Sequence, residues 1–178
     1  GNIGRTCDAT GVRLHLIEPL GFKLDEKSLK RAGMDYWQDL DVRTYVNFED
    51  FLRKNPDAYR PKGYKNIYDI NTFDDEISEI KGENKFPIYM ATTKSHFTYT
   101  DVEYPDGSYI MFGNESRGIP EEILLEYEDT CIRIPMLSTK RSLNLSNSVA
   151  IILYEALRQN DFKGLEKQGE LHRLHWKE

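Results

Sequence analysis

Short strand-like apolar runs alternate along this chain with segments of helical periodicity, and this alternation constrains the fold more than any other feature of the sequence. A strand, a helix and a further strand in succession favour parallel pairing, because the helix returns the chain across the sheet. The strand-like runs are residues 13–18, 42–46, 88–92, 109–112 and 131–134. We therefore predict an α/β fold, a mainly parallel sheet with helices on both faces, with its ligand site at the carboxyl ends of the strands.

Helix signals occupy the intervals between these strands. Residues 1–10 are predicted to form a helix that is closed by Gly11. Residues 25–32 are predicted to form a polar helix that ends at Gly33. Asn47 is predicted to cap a third helix, because asparagine is a favoured residue at that position.

Two more helices are predicted in the second half of the chain. Pro120 is suited to the first position of a short helix, because an N–H at that position would have no acceptor within the helix. Ser146 or Asn147 is predicted to cap a last, long helix. Its apolar residues recur at helical spacing, and Ala150, Ile151 and Tyr154 add a second apolar face that must be covered.

Length and composition indicate one domain over residues 1–178. Residues 65–85 contain six acidic residues against three lysines, so the stretch of roughly 60–85 is interpreted as a solvated insertion. Residues 163–178 are interpreted as a C-terminal tail. The tail sequence H-R-L-H at 172–175 could be a metal pair, but a solvated tail is the favoured interpretation.

Neither a membrane span nor a metal cluster is expected. The longest apolar run is Val149 to Leu153, whereas a membrane span needs roughly 18 residues or more. Cys7 and Cys131 have no second Cys or His at ligand spacing. We predict that both are buried, reduced thiols of a cytoplasmic protein.

Three loops could carry chemistry, at residues 1–5, 112–120 and 135–148. Gly113 and Gly118 have the spacing of a P-loop, but Ile-Pro follows where Lys-Ser/Thr would hold phosphates. The second loop is either a ligand site or a plain βα turn, with both glycines at positive φ and an Arg-Glu surface pair. The third is either a solvated connector or a functional loop, and its length favours function.

Taken together, these loops resemble the three motifs of the SPOUT, or trefoil-knotted, RNA methyltransferases. The motifs are G-N-I-G-R-T-C at 1–7, F-G-N-E-S-R-G-I-P at 112–120 and the long third motif at 132–159. R-L-H-L-I-E-P-L-G-F at 13–22 and L-K-R-A-G-M-D-Y-W at 29–37 narrow the resemblance to a small, single-domain branch. Members of that branch 2′-O-methylate the wobble nucleotide 34 of tRNA.

The resemblance implies several properties that the alternation of strands and helices alone does not predict. The fold would contain a deep C-terminal trefoil knot, and family members have a strand and an Asn-Thr pair just before the position of Gly1. The partners implied are the tRNA anticodon loop and a second copy of the chain, joined through the last helix in a C2 homodimer, with no membrane and no metal.

The resemblance also assigns roles to individual residues. S-adenosylmethionine (product S-adenosylhomocysteine) would be held by Ala91, Gly113, Ile134, Met136, Ser142 and Leu143. Catalysis would depend on Arg5, Glu115, Ser142 and Asn144, with Glu115 holding Asn144 or the loop. A guanidinium stays protonated, so Arg5 would clamp a phosphate and stabilise the developing alkoxide.

RNA contacts are expected close to these loops. The basic candidates are Arg5, Lys94, Arg117, Lys140 and Arg141, which offset the net charge of −6 locally. His96 and Tyr99 are candidate surfaces for stacking an RNA base, or else ordinary loop residues. Two alternatives remain open at this point, namely 2′-O-methylation of another tRNA or rRNA position and a non-catalytic dimeric RNA-binding protein.

Overall fold

The computed structural model describes residues 1–20, 35–61, 63–64 and 85–177. The predicted helix at 25–32 and most of the acidic insertion lie outside the described residues. The described helices are α1 (Asn2–Thr10), α2 (Phe48–Lys54), α3 (Glu121–Glu126) and α4 (Leu145–Gln159), with short 3-10 helices at Asp35–Gln38 and Glu128–Thr130. The strands are β1 (Leu14–Ile17), β2 (Val42–Tyr45), β3 (Ile88–Ala91), β4 (Tyr109–Phe112) and β5 (Cys131–Ile132).

All the paired strands run parallel. β1 and β2 form a two-stranded sheet, and β3 lies between β4 and β5 in a three-stranded sheet. Side chains from the two sheets are in contact, because the ring centroid of His15 on β1 lies 5.6 Å from that of Tyr109 on β4. The prediction of a mainly parallel α/β fold is confirmed, and the knot stays a prediction.

Two predicted helix ends are confirmed in atomic detail. α1 ends at Gly11, whose φ of 68° is in the left-handed region that glycine tolerates. At the start of α2, the Asn47 side chain accepts a hydrogen bond from the Asp50 amide at 2.9 Å. The Asp50 carboxylate in turn accepts from the Val46 amide at 3.1 Å, so the helix start is held reciprocally.

Two predicted helix starts are wrong by a few residues. Asn144, not Ser146 or Asn147, caps α4, because the Asn144 side-chain oxygen accepts from the Ser146 amide at 3.0 Å. Pro120 is the cap of α3 rather than its first helical residue. For α4 the sequence offers several capping residues close together and does not say which one satisfies the first amides.

The last predicted strand is shorter than expected. β5 pairs with β3 only over Cys131–Ile132, whereas residues 131–134 were expected to form the strand. Arg133 pairs instead with the loop after β3, since its amide donates to the Phe97 carbonyl at 2.9 Å. The strand therefore changes partner after two residues, and this change depends on a contact between distant parts of the chain.

Both cysteines are buried free thiols, as predicted. Burial raises the pKa of Cys7 and of Cys131. Cys131 belongs to a core cluster that also contains Phe48, Met90 and Ile123. No helix in the described ranges is long and apolar enough to cross a membrane.

Candidate functional site

A cavity of about 480 Å³ lies at the carboxyl ends of β3 and β4. Ala91 ends β3 and Phe112 ends β4, and both line the cavity. The remaining wall comes from the loops after β3, β4 and β5 and from the first turns of α4. The position is the one predicted, because parallel strands leave a crevice beyond their carboxyl ends.

The structure brings together every residue that the sequence assigned to the cofactor. The cavity is lined by Ala91, Gly113, Ile134, Met136, Ser142 and Leu143, and also by the predicted Lys94, Glu115, Arg117 and Asn144. These residues come from four separate stretches of chain, so their convergence depends on the tertiary fold. Their roles remain predictions.

The loop after β4 is organised by Asn114, a residue that the sequence analysis missed. Its side-chain oxygen accepts hydrogen bonds from the Ser116 amide at 3.2 Å, the Ser116 hydroxyl at 3.1 Å and the Arg117 amide at 2.7 Å. The backbone oxygen of Asn114 also accepts from the Gly118 amide at 3.0 Å. The sequence signal for this turn was an Asn placed four residues before a Gly, because Asn side chains often accept hydrogen bonds from the backbone of a turn.

The two glycines of this loop differ in conformation. Gly118 has a φ of 72°, as the plain-turn interpretation predicted, whereas the same prediction for Gly113 is wrong. Gly113 is required for another reason: a Cβ on it would lie 2.0 Å from the Gly118 carbonyl carbon. The crowding therefore comes from the loop's own backbone. The predicted Glu115–Arg117 ion pair is not formed.

Asn144 joins the cavity wall to the start of α4. Its side-chain oxygen accepts from the Ser146 amide and from the Ser146 hydroxyl, the latter at 2.6 Å. Asn144 and Glu115 both line the cavity. The sequence analysis suggested that Glu115 holds Asn144, but no hydrogen bond joins the two side chains. The cap thus holds the side-chain oxygen of Asn144 at the start of α4, beside the cavity.

Arg5 does not line this cavity. It lies in a second cavity of about 320 Å³ between α1 and α4, together with Ser146, Asn147 and Tyr154. Ser148 of the same helical turn lines the first cavity. The first turn of α4 therefore has one cavity on each side. Within a single chain, Arg5 and the predicted cofactor residues line different cavities.

The other predicted basic residues fall into two groups. Lys94 and Arg117 line the first cavity, and the Lys94 ammonium pairs with Glu121, which lowers the pKa of that carboxyl. Lys140 and Arg141 are exposed on the loop before α4 and line neither cavity. The sequence analysis also missed Arg133, which is half-buried and lines the first cavity.

The described ranges contain no group of three His, Cys, Asp or Glu side chains that could hold a metal ion. Of the two predicted stacking residues, His96 is exposed, whereas Tyr99 packs against a core cluster with Tyr104 and Ile132. The Tyr99 carbonyl also accepts a hydrogen bond from the Tyr104 hydroxyl. Tyr99 is thus committed largely to packing.

Comparisons with known proteins show which family the chain resembles. The SpoU rRNA Methylase family model matches residues 1–66 and 62–154. A tRNA (cytidine(34)-2′-O)-methyltransferase of Photorhabdus asymbiotica is 38% identical over 165 residues, which cover 92% of this chain and 88% of that protein. A candidate enzyme of the same name from Lactococcus lactis is 40% identical over 170 residues, 93% of this chain and 85% of the relative.

Solved structures show the same similarity. A structure that concerns the 2-OH methylation of C/U34 on tRNA has a TM-score of 0.67 at 34% identity and covers 90% of this chain and 86% of its own. A candidate RNA methyltransferase from Bacillus anthracis has a TM-score of 0.73 at 39% identity, with 93% and 88% covered.

Proposed function

The chain belongs to the SpoU rRNA methylase family, and from that premise we propose that it transfers a methyl group from S-adenosylmethionine to the ribose 2′-hydroxyl of nucleotide 34 in tRNA. The relatives that are 38–40% identical over nearly the whole chain support this target. A tRNA substrate would also place the enzyme in the cytoplasm.

The observation that carries the proposal is the cavity at the carboxyl ends of β3 and β4. Its volume of about 480 Å³ lies within the range of roughly 300–1,000 Å³ for small-molecule sites. Ile134, Met136 and Leu143 supply apolar surface, and Asn114 and Ser142 supply polar groups. A nucleoside cofactor with a flat base, a ribose and a charged amino-acid tail needs this mixture, so the residues fit S-adenosylmethionine.

Each part of the cavity has a separate task in this proposal. The apolar side chains of Ile134, Met136 and Leu143 would pack against the adenine, while Ser142 and Asn144 would orient the polar groups of the cofactor or the ribose. When bound, S-adenosylmethionine supplies an activated methyl group. The protein's own contribution is to hold the reacting groups in line and to exclude water.

Arg5 would act on the RNA rather than on the cofactor. An arginine side chain offers a cationic fork of N–H donors, so Arg5 can bind a phosphate and stabilise negative charge that develops on the 2′-oxygen. It lies on the other side of the first turn of α4 from Ser148, which faces the cofactor cavity. RNA that contacts both cavities would therefore cross this turn.

We also propose a C2 homodimer that is formed through α4. Ile151 and Tyr154 on this helix are large apolar residues that remain exposed in the single chain. Tyr154 and Ala150 also line the Arg5 cavity, so a second copy that covers this face would enclose Arg5 as well. Burying both side chains removes apolar area from water and favours association.

Methyl transfer to unmodified tRNA tests the proposed function directly. Wild-type protein, Arg5→Ala and Arg43→Ala are incubated with labelled S-adenosylmethionine, and the modified nucleoside is mapped. Arg43 is a suitable control because it is exposed on β2 and lines neither cavity. We expect label at the 2′-oxygen of nucleotide 34, full transfer by Arg43→Ala and at least about a hundredfold loss with Arg5→Ala.

Other outcomes select the alternatives. Label at a different nucleotide would assign the enzyme to another tRNA or rRNA position. Calorimetric binding of S-adenosylmethionine without label on any RNA would favour a non-catalytic RNA-binding protein. Absence of cofactor binding would overturn the assignment of the cavity.

A further inference from the structure

Phe97 is an exposed aromatic residue on a backbone that is fixed on both sides. Its side chain is 47% exposed. Its amide donates to the Ser95 hydroxyl oxygen at 3.0 Å, and its carbonyl accepts from the Arg133 amide at 2.9 Å. Ser95 is itself only 7% exposed and donates to the Cys131 carbonyl at 2.6 Å, so the anchor lies in the core.

This anchoring places Phe97 beside the cofactor cavity. The chain leaves β3 through residues 91–94, which line the cavity, and reaches Phe97 three residues later. Arg133, the partner of the Phe97 carbonyl, also lines the cavity. The pairing continues through Thr98 to Tyr99, whose amide donates to the Arg133 carbonyl at 2.8 Å. One hydrogen bond therefore links Phe97 to the cavity wall.

Exposure by itself would carry no argument, since single apolar residues on a surface are ordinary. Phe97 differs from a scattered surface residue because hydrogen bonds hold its backbone next to a residue of the cavity wall. The neighbouring exposed side chains, Lys94 and His96, can contact phosphates. An aromatic face beside groups that can contact phosphates is the chemistry that binds unpaired nucleic-acid bases.

We propose that Phe97 is the surface on which an unpaired base of the RNA stacks next to the cofactor cavity. This inference rests on the proposed function and names a residue that would hold the substrate. It also replaces Tyr99, which is engaged in packing, as the stacking residue of this loop. Because every base has a π-face, the contact would contribute to affinity and positioning more than to base identity.

Steady-state kinetics with a matched pair of variants test the inference. Phe97→Leu keeps an apolar side chain but removes the aromatic face, and Phe97→Tyr restores it. Tyr59→Leu is the control, because Tyr59 is 42% exposed and its amide bonds to Phe86 near the opposite end of β3. We expect KM for tRNA to rise about five- to a hundredfold in Phe97→Leu, with kcat and cofactor affinity little changed.

The same experiment can overturn the inference. An unchanged KM for tRNA in Phe97→Leu would do so, as would an equal rise in Phe97→Tyr. A fall in cofactor affinity or in melting temperature that accounts for the rise would assign Phe97 a structural role instead.

Fluorescence gives a readout that does not need turnover. Phe97→Trp is titrated with an unmodified anticodon stem-loop RNA, with Tyr59→Trp as the control for the two native tryptophans. We expect RNA to quench Phe97→Trp more strongly than the control, and equal quenching would contradict the inference. If RNA quenches Phe97→Trp more strongly than Tyr59→Trp while the wild-type protein transfers no methyl group, the proposed function would be wrong and the stacking contact would stand.

Discussion

Gly113 and Gly118 approach each other so closely that no side chain fits between them. A Cβ on Gly113 would lie 2.0 Å from the carbonyl carbon of Gly118 and 2.2 Å from the amide nitrogen of Ile119. The contact closes the loop that carries Asn114, Glu115 and the cavity wall.

Gly113→Ala should therefore open this loop. We expect a loss of about 1–3 kcal/mol in the free energy of unfolding, because the backbone on one side must move. Binding of S-adenosylmethionine, measured by calorimetry, should weaken at least about tenfold. Gly169→Ala is the control, since a Cβ there meets nothing within 4 Å. Unchanged binding in Gly113→Ala would show that the loop does not shape the cofactor site.

Substitutions at Asn144 should separate its role as a helix cap from its role in the cavity. Asn144→Ala removes the acceptor of the Ser146 amide and should lower stability by about 1 kcal/mol. Asn144→Asp keeps an acceptor at the helix start, so chemical denaturation should show stability close to wild type. It lacks the amide donor, and we expect methyl transfer at least about tenfold slower. Full activity of Asn144→Asp would mean that Asn144 only caps α4.

Stability should decrease on mild acidification because of His15. Burial, with smaller contributions from Arg13 and Arg43, lowers the pKa of His15 from 6.5 to about 4. The folded state thus binds this proton less readily than the unfolded chain. The stability that the folded state gains from keeping His15 neutral is fully present above about pH 6.5, and it is lost as the pH falls from about 6.5 towards 4.

Denaturant unfolding at several pH values measures this effect. The slope from one proton cannot exceed about 1.4 kcal/mol per pH unit. His15→Phe keeps a ring beside Phe51 and Tyr109 and should flatten the dependence between pH 6.5 and 4. The exposed His172 supplies the control, because His172→Phe should leave the slope intact. An unchanged slope in His15→Phe would contradict the prediction.

The homodimer proposal predicts that a charge on α4 dissociates the protein. Ile151 is 37% exposed and lines neither cavity, so Ile151→Glu would bury a carboxylate in the interface away from Arg5. We expect analytical ultracentrifugation to show at least about a tenfold higher dissociation constant. Leu125→Glu, on the 74% exposed Leu125 of α3, should leave the dimer unchanged. A wild-type protein that is monomeric at micromolar concentration would contradict the proposal.

Local patterns in the sequence predicted much of the fold. The order of the described strands and helices, the end of α1 at Gly11 and the cap at Asn47 followed from neighbouring residues, because these features are stabilised within one or two turns. The cavity residues followed from the resemblance of three motifs to a known family. The sequence could not choose among Asn144, Ser146 and Asn147 as the cap of α4, since all three residue types can fill that position.

The sequence by itself thus determined the type of fold and the order of its elements. The resemblance to a known family supplied the residues that meet at the carboxyl ends of the strands. Only the tertiary structure decided that Arg5 lies in a separate cavity, that β5 changes its partner at Arg133, and that Phe97 is held beside the cavity at the carboxyl ends of β3 and β4. Each of these features depends on a contact between segments that are distant along the chain. Such contacts are set by how the whole chain packs, and short-range sequence patterns do not encode them.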